Sequence, residues 1–157
     1  MKLDQKVPEY LKQLVVNNNR EWFHDNKGIY NEAKVLFEDF VAAQIEAISK
    51  FDKNIEGLQP KACTFRIHRD VRFSHDKTPY KIYFGAYMSK DGRKSRHAGY
   101  YLHVEPDGSF VAGGLHMPDK DVLKDIRLRI LENPLAFKKL IEDKKLRKDY
   151  PEIYGEN

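Results

Sequence analysis

Basic side chains are concentrated in one stretch of the chain. Six basic residues and two acidic ones lie between Lys61 and Lys81, although the whole chain has a net charge of only +4. Arginines offer paired donors, lysines offer compact positive charges and hydroxyls offer neutral donors, which together suit a phosphate or carboxylate group. The stretch therefore predicts an anion-binding site. Its candidate residues are Arg66, Arg69, Arg72, Ser74, Lys77, Tyr80 and Lys81.

The same stretch allows a purely structural interpretation. Asp70 and Asp76 lie among the arginines and could pair with them, tying a loop to its surroundings. Trp22, from the N-terminal part of the chain, is a third candidate structural partner. The sequence leaves both interpretations open: an anion site, or a network of ion pairs.

A second functional hypothesis is nucleic-acid binding. The sequence pI is about 9.0, and tyrosines at positions 80, 83, 87, 100 and 101 alternate with basic groups. Aromatic rings beside positive charges can stack on bases while the charges hold the backbone. No recognised nucleic-acid-binding motif accompanies this pattern.

A third hypothesis is a metal-dependent enzyme. His68-x-Asp70 and His103-x-Glu105 each place an imidazole and a carboxylate on one strand face, and His116 follows. Two histidines and a carboxylate can hold non-haem iron. No phosphate-binding glycine loop, dinucleotide motif, nucleophile elbow or HExxH motif is present, so the sequence assigns no catalytic residue, metal ligand or cofactor.

The element that must position the basic residues is predicted to be a strand. Phe65, Ile67, Val71 and Phe73 alternate along one face, as in a strand packed on a core. Arg69 falls in the same apolar row. Because an unpaired buried charge is costly, Arg69 must find a carboxylate partner or the chain must leave the sheet there.

The wider pattern predicts an α+β fold. Helical periodicity covers the N-terminal third, with a capping box from Asn18 to Glu21, and a further amphipathic helix follows Pro118 and stops near 133–134. Residues 64–71, 81–89, 98–105 and 109–117 have strand character, and a tight-turn signal at 106–108 joins the last two. We expect these helices to pack on a mainly antiparallel sheet of about four strands.

Length and composition predict one domain over residues 1–157. The chain is 41% hydrophobic, which is enough for a core, and residues 143–157 are polar enough to form a disordered tail. Its single cysteine, Cys63, excludes an intrachain disulfide and is expected to be buried. No apolar run approaches the ~20 residues of a membrane span, so a cytoplasmic location without membrane contact is expected.

Three segments carry a resemblance to a known family. They are NNNREWF at 17–23, FRIHRDVRFSHDKTPYK at 65–81 and GYYL at 99–102. With these segments the chain resembles the DUF2461 family over nearly its whole length. The resemblance implies no particular activity and no catalytic residue. Family members continue past the point where this chain ends, so the resemblance also implies a C-terminally truncated form.

Overall fold

The computed structural model describes residues 1–152, which divide into two compact units, Met1–His116 and the described part of the second unit, 117–152. The first unit contains α1 (Lys6–Val16), α2 (Arg20–Asp25), α3 (Lys27–Ser49), a 3-10 turn (Lys53–Ile55), α4 (Pro60–Cys63), β1 (Phe84–Ser89), β2 (Gly99–Val104) and β3 (Phe110–Gly114). The second contains α5 (Lys120–Glu132), α6 (Pro134–Ile141) and α7 (Lys144–Asp149).

The predicted α+β class is confirmed, whereas one domain over 1–157 stays a prediction. Within the described residues, no helix is both long and apolar enough to cross a bilayer.

The core of the first unit is built from helix faces with 3.6-residue spacing. In α1 the buried positions are Val7, Tyr10, Leu11 and Leu14, which follow one another around one side of the helix. Helix α3 buries a matching stripe that includes Phe37. These faces pack together and against the sheet.

Three consecutive asparagines separate α1 from α2. Asn17 follows α1 and donates from Nδ2 to the Gln13 carbonyl at 2.9 Å, while Asn19 caps α2 by accepting from the Trp22 amide at 2.9 Å. The predicted capping box at Asn18 is therefore wrong by one residue. The Asn18 side chain is consequently available for a contact elsewhere.

The sheet has the order β1-β2-β3 with antiparallel neighbours. Its helix-facing side carries Phe84, Ala86, Met88, Leu102 and Val104, all buried in the core. The side chains between them in sequence lie on the opposite face, since strand residues alternate. Three of the predicted strands thus form, each somewhat shorter than expected.

The fourth predicted strand, residues 64–71, does not form. Only Thr64 pairs with β1, opposite Ala86, and the chain then folds back on itself with His68 opposite Tyr80. The Asp70 and Asp76 carboxylates accept backbone amides two residues further on, at 3.3 and 2.9 Å. Such local contacts offer the backbone an alternative to a strand ladder. Phe73, predicted to pack on the core, is instead 94% exposed.

The second unit consists of the three C-terminal helices. Helix α5 lies where the periodicity after Pro118 predicted it, and Asn133 ends it and caps α6 by accepting from the Ala136 amide at 3.2 Å. The segment considered as a disordered tail contains α7, which Asp143 caps by accepting from Lys145 and Leu146. The remainder of that segment, residues 153–157, lies outside the described residues.

Candidate functional site

Residues 65–81, here called the signature loop, contain the seven predicted anion-binding residues. Arg69 donates from Nη1 to the Asp76 carboxylate and to the hydroxyl and carbonyl of Thr78, and its Nη2 lies 3.5 Å from Ser74 Oγ. The Thr78 amide, followed by the Arg69 guanidinium, lowers the pKa of Asp76 to about 2. We expected either a carboxylate partner for Arg69 or a departure of the chain from the sheet, and the structure shows both.

Two further cations of the signature loop are also held within it. Arg72 donates from Nε and Nη2 to the two carboxylate oxygens of Asp70, at 2.9 and 2.7 Å, and this pairing is the main cause of the lowered pKa of Asp70. Lys77 Nζ donates to the Val71 carbonyl at 3.0 Å. Asp70 and Asp76 therefore each pair with an arginine of the same loop, which is the pairing that the second interpretation requires.

Tyr80 anchors the signature loop to the helices. Its ring is buried and stacks on Phe23 with the centroids 4.0 Å apart. Its backbone amide donates to Asn18 Oδ1 at 3.1 Å, and its carbonyl accepts from Asn18 Nδ2 at 2.9 Å. Trp22, the third candidate structural partner, is partly buried and stacks on Tyr10. Both rings therefore pack on aromatic neighbours.

Arg66 and Lys81 are the two predicted cations for whose side chains neither a hydrogen bond nor an ion pair is found within residues 1–152. Arg66 is exposed. Lys81 is half-buried, with Nζ 5.6 Å from the ring centroid of Phe65 and 5.7 Å from that of Tyr83. Burial, and then the charge of Arg66, lower the pKa of Lys81.

Lys81 borders a cavity of about 790 Å³ on the sheet face opposite the core. Apolar and aromatic groups form most of the wall, and Lys81, Arg93, His103 and His116 are its basic members. The aromatic members are Phe65, Tyr83, Tyr87, Tyr101 and Phe110.

Gly85 makes the close packing at one side of this cavity feasible. It lies opposite His103 in the β1–β2 register. A Cβ atom at this position would lie 3.0 Å from Tyr101 Oη and 3.5 Å from Phe65 Cδ2. A larger residue would therefore displace the Tyr101 hydroxyl.

Three side chains at alternate positions of β2 and just beyond it form a hydrogen-bonded chain along the same face. Tyr101 Oη lies 3.1 Å from His103 Nδ1, and His103 Nε2 lies 2.7 Å from Glu105 Oε2. Since a carboxylate only accepts, Nε2 carries a hydrogen, and neutral His103 accepts the Tyr101 hydrogen at Nδ1. Burial, and then the neighbouring Tyr83 and Glu105, raise the pKa of Tyr101. Tyr101 is thus a neutral hydroxyl on a hydrogen-bonded path to a carboxylate.

Two aromatic rings fix the orientation of His103. Tyr83 lies on one side with ring centroids 4.3 Å apart, and Phe110 stacks at 4.7 Å with an interplanar angle of 17°. Both ring nitrogens already have partners. Within residues 1–152 no group of three or more histidine, cysteine, aspartate and glutamate side chains could hold a metal ion.

The sequence pointed to only part of this arrangement. Lys81 was among the predicted site residues, but His103 and Glu105 were considered only as a metal pair, and Tyr101 only as a base-stacking group. Their spacing at 101, 103 and 105 on a predicted strand was the available signal, because such residues share one face. Of the other tyrosines considered for stacking, Tyr100 instead donates to Asp52 at 3.1 Å.

The fold and the site define an α+β protein with an aromatic, lysine-bearing cavity on one face of a three-stranded antiparallel sheet. The chain matches the model of DUF2461, a conserved hypothetical protein family, over residues 6–157, and it belongs to that family. No curated protein and no solved structure matches it significantly.

Proposed function

We propose that this protein binds a small molecule carrying a phosphate or carboxylate group, and that the anion lies against Lys81 in the sheet cavity. The observation that carries the proposal is the placement of the Lys81 ammonium. It is half-buried at the cavity wall, and no carboxylate contacts it within residues 1–152. An anionic ligand would supply the missing counter-charge.

Arg66 supports the same assignment. Its charge is close enough to lower the pKa of Lys81, so two cations lie near each other without a bonded carboxylate in the described part of the chain. Two like charges are unfavourable until an anion joins them. A phosphate or carboxylate against Lys81 would relieve that repulsion.

The cavity wall indicates the shape of the remainder of the ligand. Its volume is within the range of small-molecule sites, and its surface is mostly aromatic with few polar groups. Rings such as Tyr83 and Phe110 offer flat apolar surface to a ligand body. We therefore expect an anion attached to a planar or apolar group to bind more tightly than inorganic phosphate.

A thermal-shift titration at constant ionic strength tests this proposal. The probes are phenyl phosphate, inorganic phosphate and benzyl alcohol. A ligand at about 100 times its Kd stabilises the folded state by about 2.7 kcal/mol, which is readily measured. Phenyl phosphate is expected to raise Tm most, because it alone combines the anion with the ring.

Two variants make the titration specific for the cavity. Lys81→Ala should lose most of the phenyl phosphate response. Lys90→Ala, a matched change of an exposed lysine, should keep it. A wild-type protein whose Tm does not respond to phenyl phosphate, or an equal response in both variants, would contradict the proposal.

A further inference from the structure

Lys81 differs in its surroundings from the other lysines near it in sequence. Lys77 is bound to a backbone carbonyl, and Lys90 and Lys94 are exposed. Lys81 alone among these four lines the cavity. Its side chain is therefore next to any molecule that the cavity holds.

The environment of Lys81 favours a nucleophilic amine. Burial and Arg66 lower its pKa, so a larger fraction of the side chain is the free amine than in an exposed lysine. The ring faces of Phe65 and Tyr83 favour the ammonium form, but at 5.6 and 5.7 Å they lie near the outer limit of cation–π attraction. A desolvated lysine beside a second cation is a recognised arrangement for covalent chemistry with carbonyl compounds.

Tyr101 and His103 line the same cavity, and with Glu105 they form a hydrogen-bonded chain that can move protons. When His103 carries hydrogens on both nitrogens, Glu105 accepts one and Tyr101 Oη accepts the other. The Tyr101 hydrogen is then free to point toward a ligand oxygen. The chain can thus deliver a proton to the cavity and recover it through His103.

We propose that Lys81 forms an imine with a carbonyl compound that also carries a carboxylate or phosphate group, such as an oxo acid or a phosphorylated aldehyde. The assignment of an anionic substrate rests on the proposed function. The assignment of a carbonyl substrate rests on the amine of Lys81.

Each step of the reaction balances without an oxidant or a reductant. The Lys81 nitrogen lone pair attacks the carbonyl carbon, and one proton of that nitrogen passes to the carbonyl oxygen to give a neutral carbinolamine. The nitrogen lone pair then expels the hydroxyl, which takes a proton from Tyr101 and leaves as water. The remaining proton on the nitrogen returns to the Tyr101 oxygen, so the product is the neutral imine, and hydrolysis reverses every step.

Reductive trapping with glyoxylate tests the imine. Glyoxylate carries an aldehyde and a carboxylate, and cyanoborohydride adds hydride to its imine carbon, leaving a stable carboxymethyl group on the lysine nitrogen. Peptide mapping by mass spectrometry at several times gives the rate at each lysine. We expect modification of Lys81 at least about fivefold faster than that of Lys90.

Two arginine variants serve as controls. Lys81→Arg keeps the positive charge but cannot form an imine, so it should lose the fast modification while retaining a thermal response to phenyl phosphate. Lys90→Arg should change neither measurement. Circular dichroism confirms that both variants are folded.

The outcomes separate this inference from the proposed function. Modification of Lys81 no faster than that of Lys90 overturns the imine, and a phenyl phosphate response in the same protein leaves anion binding intact. Fast modification of Lys81 by glyoxylate and by the neutral aldehyde propanal at equal rates supports the imine but overturns the anionic substrate class. Preference for glyoxylate supports both.

Discussion

Asn18 connects the helical region to the signature loop through two side-chain hydrogen bonds to the Tyr80 backbone. No other side chain in the described residues is found to make such a pair, so replacing Asn18 tests how the loop is held. Its amide bridges the N–H and C=O of Tyr80, at 3.1 and 2.9 Å. The neighbouring backbone groups, Arg69 N–H to Pro79 and Lys81 N–H to Ile67, bond within the loop instead. Asn18→Ala would leave both Tyr80 groups without these partners.

The expected cost follows from the burial of that contact. Each intramolecular hydrogen bond contributes about 1 kcal/mol, and an unsatisfied buried partner adds more. We therefore expect Asn18→Ala to lower the free energy of unfolding by about 2 to 3 kcal/mol. At this chain length that corresponds to a fall in Tm of about 5 to 10 °C.

The adjacent asparagines provide matched controls. Asn19→Ala removes a helix cap and should cost about 1 kcal/mol, whereas Asn17→Ala removes only an exposed contact and should cost about 0.5 kcal/mol or less. Urea unfolding followed by fluorescence of Trp22, the only tryptophan, reports on this unit. A cost for Asn18→Ala no larger than that for Asn17→Ala would refute the assignment.

Four further changes have distinct expected results. Tyr10→Phe removes a buried hydroxyl for which no partner is found in residues 1–152, so calorimetry should show unchanged or slightly higher stability. Phe73→Ser should alter stability by less than about 0.5 kcal/mol in urea, since the ring is 94% exposed. The folded-state pKa of Asp76 is about 2, below its ordinary value of 3.8. Its contribution to stability is therefore present above pH 4 and is lost as the pH falls toward 2. In Asp76→Asn, the free energy of unfolding should change less with pH over this range. Gly85→Ala should reduce the free energy of phenyl phosphate binding by more than it reduces the free energy of unfolding, because the new Cβ meets the Tyr101 hydroxyl at 3.0 Å.

The elements that the sequence predicted well are those whose signal is local. Helix α5 ends at Glu132, directly before Asn133 and Pro134, as expected, and α1 buries the face that its apolar spacing indicates. The turn at 106–108 joins β2 and β3. In each case a periodic pattern or a turn residue within a short window was sufficient.

The predictions that failed involve competition between local and distant partners. Residues 64–71 have the alternation of a strand, but the side chains of Asp70 and Asp76 bind backbone and arginines of their own loop. Asn18 and Asn19 are the same residue type one position apart, yet Asn19 caps α2 whereas Asn18 binds the distant backbone of Tyr80. Periodicity carries no information about such choices.

The sequence by itself determined the α+β class, the family, and the concentration of positive charge in the signature loop, because composition and short-range spacing encode them. Only the tertiary structure decided which charges remain available. Arg69 and Arg72 bind Asp76 and Asp70, whereas Lys81 lies beside Tyr83 at a cavity that also contains Tyr101 and His103. An ion pair depends on the distance between two groups in space, and residues 81 and 103 come to line one cavity only when β1 and β2 pair.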